Sequence, residues 1–151
     1  MRTVFIRHGE RRKGESDPSL TSQGRRMARE AALWLEAQGV VPVAIVSTPT
    51  ARTRETADEL ALVFPDAVRA ERPESPEVPV DWDLLTDQLV ATPLPDGPRV
   101  LVGHHPTVDF LLTSYGPPPV PVPVRHYCSV LILDHSRMGW SISAAWPGRA
   151  A

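Results

Sequence analysis

The chain has one cysteine, Cys128, and one lysine, Lys13, in 151 residues. A lone thiol excludes an internal disulfide and any metal centre built on paired cysteines, and it points to a reducing, cytoplasmic setting. No apolar run reaches transmembrane length, and the opening MRTVFIRHGE lacks the apolar core of a signal peptide. An excess of charge of one sign is also missing: 16 Lys and Arg stand against 18 Asp and Glu, a formal net charge of -2. That balance argues against broad binding to nucleic acid or to an anionic membrane surface. Nine glycines and 17 prolines together make up about 17% of the chain, short of the ~25–30% of low-complexity sequence.

What is present reads as an ordinary folded chain. Hydrophobic residues make up 42% and charged residues 23%, near globular averages. The length suits a single domain over residues 1–151, which buries about 68–70% of its unfolded surface. Proline is in excess, at about 11% against a usual ~5%. Three prolines fall in the acidic stretch 71–80, and five form the stiff connector Pro117–Pro123.

Apolar runs alternate with helical patterns. Strands are expected at Thr3–Ile6, Val43–Ser47, Ala67–Ala70 and Val100–Gly103. Between them, Thr21 reads as the cap of a helix that Gly39 stops, Thr50–Phe64 as a second helix and Val80–Val90 as a third. Pro106 suits the first turn of a last helix through Leu112. A hairpin over Ser129–Asp134 and Trp140–Ala145, turning near His135–Gly139, closes the chain. The pattern predicts a three-layer α/β/α sandwich with a mostly parallel central sheet and an antiparallel edge hairpin at the C-terminus.

In such sheets ligands sit beyond the carboxyl ends of the strands. Arg7-His8-Gly9 follows the first strand, Arg52 lies just after the second, and Gly103-His104-His105 ends the fourth. Two arginines and two or three histidines would converge there, with no set of Asp, Glu and His spaced like a metal site. Arginine forks match phosphate oxygens and stay charged at any relevant pH, so the expectation is a pocket for a phosphoryl dianion. Among the other histidines, His126 and His135 read as surface residues. Arg11, Arg12 and Lys13 read as a solvated run or as a steering patch, and Cys128 as a small packed side chain.

The motifs resemble those of the histidine phosphatase superfamily, the phosphoglycerate-mutase-like clan, in its compact bacterial SixA-type branch. Arg7-His8-Gly9-Glu10 opens the resemblance, and Leu20-Thr21-Ser22-Gln23-Gly24 is similar to the family's L-T-x-x-G. The run from Ser47 to Ala57, STPTARTRETA, is similar to S-[ST]-P-x-x-R-[AT]-x-x-T-A, and Val102–Pro106 to V-G-H-x-P. The resemblance implies a phosphatase that works through a covalent phosphohistidine on His8, with Arg7, Arg52 and His104 holding the phosphoryl oxygens. Glu10 and His105 are further candidates for substrate contact. The general acid is expected in the segment after the second helix, which holds Glu71, Glu74 and Glu77; Glu74 is the first candidate and Glu10 the next. No cofactor or metal is implied.

The expected partner is a phosphorylated protein or a small phosphorylated substrate, with the chain a monomer or weak dimer. A protein phosphohistidine phosphatase is the leading reading. Phosphatases of sugar phosphates or nucleotides, a mutase and a non-catalytic phosphate-binding module are the alternatives. The interval 58–103 leaves no room for the large lid of mutase-type relatives, so an open site is expected.

Overall fold

Val4, Phe5 and Ile6 alternate between two faces of one strand, and that period of two organises the molecule. The computed structural model describes residues 2–71, 95–119 and 126–148. In chain order they form β1 (Arg2–Arg7), α1 (Ser22–Ala37), β2 (Ala44–Ser47), α2 (Ala51–Val63), β3 (Val68–Glu71), β4 (Arg99–Gly103), α3 (His105–Tyr115), β5 (Val130–Ser136) and β6 (Gly139–Trp146). The helix expected over Val80–Val90 and nearly all of the proline-rich loop at 71–80 lie outside the described residues. Of the interval 58–103, in which no large lid is expected, residues 72–94 also lie outside the described residues.

The six strands lie in the order β3-β2-β4-β1-β5-β6. The first four run parallel, and β5 and β6 are antiparallel, as expected for an edge hairpin. Val4 and Ile6 pack with Ile45, Val100 and Val102 under α1 and α2, where Met27, Ala31, Leu35, Ala57 and Leu60 close the layer. Phe5, Val46, Leu101, Leu131 and Leu133 face the other way, onto Val108 and Leu111 of α3. The three-layer α/β/α sandwich follows from that division. Each fully buried Leu, Ile or Phe contributes about 1.5–3 kcal/mol over exposure, so both faces of β1 are strongly specified.

Thr21 caps α1, its hydroxyl accepting from the Gly24 N–H at 2.9 Å, and Gly39 ends it at φ 76. The α1–α2 contact is polar at its rim. Glu59, only 5% exposed, accepts from Arg25 and Arg29 at 3.3 and 2.6 Å. The hairpin is tighter than its turn residues suggest. Pairing runs to Ser136 and Gly139, leaving only Arg137 and Met138 between the strands, with Gly139 at φ 96.

Candidate active site

The register of the parallel strands brings their carboxyl ends level: Arg7 pairs with Gly103, and Ser47 with Val102. The next residue on each strand is therefore His8, His104 or Thr48, and all three meet at one edge of the sheet. His8 is pinned on both sides, donating its N–H to the Gly103 carbonyl at 2.9 Å and accepting from the Cys128 N–H at 3.2 Å. His8 and His104 are buried, at 5% and 6% exposure, with ring centroids 5.4 Å apart.

The His8 ring has a defined proton. Its Nδ1 lies 2.8 Å from the Gly9 carbonyl oxygen. A carbonyl only accepts, so Nδ1 carries the hydrogen and Nε2 keeps its lone pair. Burial, and then the charges of His104, Arg52 and Arg7, pull the pKa down to about 3 against the opposing pull of that carbonyl. The flanking arginines contribute, but burial is the larger cause.

His104 is held by a chain of hydroxyls. Arg52 donates to its Nδ1 at 3.4 Å, so Nε2 bears the hydrogen and donates to Thr48 Oγ1 at 2.9 Å. Thr48 donates to Thr53 Oγ1 at 2.8 Å, and Thr53 returns to the Thr48 carbonyl at 2.7 Å. Arg7 is half-buried, its guanidinium carbon 4.5 Å above the Tyr127 ring. Burial lowers the pKa of both arginines, yet neither loses its charge near neutrality. The Arg52 Nε is buried without a hydrogen-bond partner among the described residues. A donor left so is ready for an acceptor on a ligand.

These four side chains line one cavity of about 420 Å³. His105 and Pro106 of α3 complete one wall, and Arg11, Glu15, Ser16 and Pro18 supply another. The segment 10–20 is pinned at several points. Arg11 and Leu20 form an antiparallel bridge, the Arg12 N–H reaches the Ser19 carbonyl at 2.8 Å, and Asp17 accepts from the Ala51 N–H at 3.0 Å. Asp17 thereby caps α2 one residue before Arg52. The charge run divides, with Arg11 in the cavity wall and Arg12 and Lys13 exposed outside it.

The remaining candidates separate. Glu10 gives its carboxylate to the Thr21 hydroxyl at 2.9 Å and is not in the cavity wall. His105 lines the cavity, with its Nε2 3.3 Å from Asp109. Glu71 is paired with Arg54 at 2.5 and 3.1 Å, and hydrogen bonding to that guanidinium holds its carboxyl below the usual range. Glu74 and Glu77 lie outside the described residues. His126 and His135 are exposed, and Cys128 is fully buried, its thiol pKa raised by that burial. Among the described residues no group of three His, Cys, Asp or Glu is placed to hold a metal ion, and no helix is long and apolar enough to cross a membrane.

Several supporting residues do not stand out in the sequence. Thr56 accepts from the Gly9 N–H at 2.9 Å and donates to the Arg52 carbonyl at 2.7 Å, tying the first motif to the second strand's helix. A signal for Thr48, Thr53 and Thr56 exists, because each stands at a Thr position of the Ser47–Ala57 motif. Gly9 is needed for space: a Cβ there would lie 2.6 Å from the Gly24 carbonyl oxygen, and one on Gly24 would collide with the Glu10 carbonyl. Tyr127 sits between a proline connector and a strand, and nothing in that pattern announces it.

The arrangement can hold a doubly charged anion between guanidiniums and present it to an unprotonated ring nitrogen. Residues 3–73 match a family model described as the histidine phosphatase superfamily (branch 1). That stretch contains Arg7, His8 and Arg52, and His104 lies beyond it. No curated protein matches the chain. Among solved structures, the protein histidine phosphatase SixA complexed with tungstate superposes with a TM-score of 0.72 at 20% identity, over 96% of each chain. A protein of Nakamurella multipartitia assigned to the SixA phosphohistidine phosphatases gives 0.71 at 24% identity, over 99% of this chain and 96% of that one. A mycobacterial glucosyl-3-phosphoglycerate phosphatase with VO3 gives 0.60 at 21% identity, over 99% of each chain. These likenesses establish the shared α/β/α fold. The chain is thus similar to the histidine phosphatase superfamily in sequence over residues 3–73 and to solved phosphatases in fold over nearly its whole length.

Proposed function

We propose that this chain is a protein phosphohistidine phosphatase that passes the phosphoryl group through Nε2 of His8 to water. One observation carries the reading: His8 spends its only ring proton on Gly9, keeping a bare nitrogen in a cavity that Arg7, Arg52 and His104 share. Nε2 forms a bond to phosphorus as the bond to the leaving nitrogen breaks, and that nitrogen takes up a proton. Glu74 is the residue assigned to donate it. Water then attacks phosphorus, the P–N bond breaks, and Nε2 recovers its lone pair as inorganic phosphate leaves with the water-derived oxygen. Arg7, Arg52 and His104 surround the phosphoryl oxygens through both steps. Fixed cations of this kind supply most of what phosphoryl transfer asks of a protein, and the reading needs no metal.

Relatives of the same fold are described as SixA phosphohistidine phosphatases, one of them in complex with the oxyanion tungstate, which suits this choice of substrate. The reading places the protein in the bacterial cytoplasm, as a monomer or weak dimer. A turnover panel of phosphohistidine protein, phosphoamino acids, sugar phosphates and nucleotides tests it, run with and without a strong chelator. Phosphohistidine is expected to turn over fastest, unaffected by the chelator, and acid-labile phosphate is expected on wild-type protein but not on His8→Ala. Appreciable turnover by His8→Ala, or activity lost to the chelator and restored by a divalent metal, would overturn the mechanism.

A further inference from the structure

We infer that Arg11 forms a second anion subsite beside the phosphoryl pocket, taking an acidic group, a carboxylate or a further phosphate, that the substrate carries next to its phosphoryl group. The inference rests on the phosphatase reading for what the substrate is, and on geometry for the subsite itself. Arg11 lines the same cavity as Arg7, His8 and Arg52. Its backbone is fixed by the bridge to Leu20, and the next residue is tied to Ser19. The guanidinium is thus presented from a pinned pair of segments. Its charge is felt by both Arg7 and Arg52, whose pKa values it lowers further after burial has lowered them.

Neighbouring carboxylates leave that charge without direct contact. Among the described residues, Glu10 is held by Thr21 and Asp17 by the Ala51 N–H. Glu15 carries the one opposing charge that the described residues give the cavity wall, but its carboxylate accepts from the Ser19 N–H and forms no ion pair with Arg11. Two guanidiniums already match the charge of a phosphoryl dianion, so the third has an anion to spare for. Space agrees with charge. A phosphoryl group displaces the equivalent of about two or three waters of ~30 Å³ each, a fraction of the 420 Å³ present.

The test compares orthophosphate with pyrophosphate by titration calorimetry, on wild type, Arg11→Ala, Arg11→Glu and the exposed control Arg12→Ala. A second arm measures turnover of phosphopeptides with Glu or Gln beside the phosphorylated residue. Wild type should prefer pyrophosphate, and Arg11→Ala should lose about tenfold more affinity for pyrophosphate than for orthophosphate, the scale of one charge-assisted hydrogen bond. Arg11→Glu should reverse the preference, and Arg12→Ala should keep it. Selective loss confined to the pyrophosphate arm assigns the acidic group to a small substrate; in the peptide arm, to an acidic side chain. Equal losses for both members of both pairs overturn the subsite. The binding arm needs no turnover, so an Arg11-dependent preference without hydrolysis would reject the phosphatase reading and leave the subsite standing.

Discussion

A proton added to His8 would enter a buried ring beside two guanidiniums, and its pKa of about 3 against an ordinary 6.5 expresses that cost. The unfolded chain accepts the proton below about pH 6.5, while the folded chain refuses it until about pH 3. His8 therefore contributes no pH dependence above 6.5 and drains stability as pH falls through that window. Between pH 6.5 and 4 the loss should be roughly 3 kcal/mol, at about 1.4 kcal/mol for each step of one in pH. Urea unfolding of wild type and His8→Gln across this range measures it. Wild type should fall more steeply by about that amount, and parallel slopes would mean that the ring is not held neutral. Arg7, His8, Arg52 and His104 were legible from the sequence because each follows an apolar run at a strand end, where topology alone brings them together. The places of Glu10 and Arg11 were not. Which of two adjacent charged residues is spent on a helix cap and which lines the cavity depends on Thr21 and Leu20, and no local pattern encodes those partners.

The junction of α1 with the strand end behind His8 is a contact between two backbones, with Gly9 and Gly24 each occupying space the other's neighbour needs. Gly24→Ala would drive a methyl into the Glu10 carbonyl, and a backbone carbonyl has no rotamer to escape through. The expected cost is about 1–3 kcal/mol, read as a lowered urea midpoint, with turnover reduced as the segment carrying His8 shifts. A variant as stable and active as wild type would show that the junction can relax. The described helices and strands were legible: Thr21, Gly39 and Pro106 mark helix ends, and apolar runs mark β1, β4 and β5. The two-residue turn of the hairpin was less so, because His135 and Ser136 are polar and exposed yet still pair across the sheet.

For the molecule as a whole, the net charge of -2 describes the surface poorly where it matters. Among the described residues, Arg7, Arg11 and Arg52 line one cavity against a single carboxylate, that of Glu15, so an anion meets attraction there from a protein that is globally acidic. Raising salt from about 20 to about 300 mM shortens the screening length several-fold. The affinity for orthophosphate should then fall about three- to tenfold, as read by calorimetry. Unchanged or improved binding would place the controlling field in the net charge instead. Chain order adds a further consequence. The strand that leads into His8 is made before its neighbours, yet it lies between β4 and β5, whose residues come about a hundred positions later. Loop closure of that length is slow compared with helix formation. During synthesis, β1 must therefore wait, its Val4, Phe5 and Ile6 uncovered, until residues 99–136 have left the ribosome, and the nucleophilic ring has no site before then. A nascent chain is inert toward phosphate until β4, with His104 after it, and β5 have both been translated.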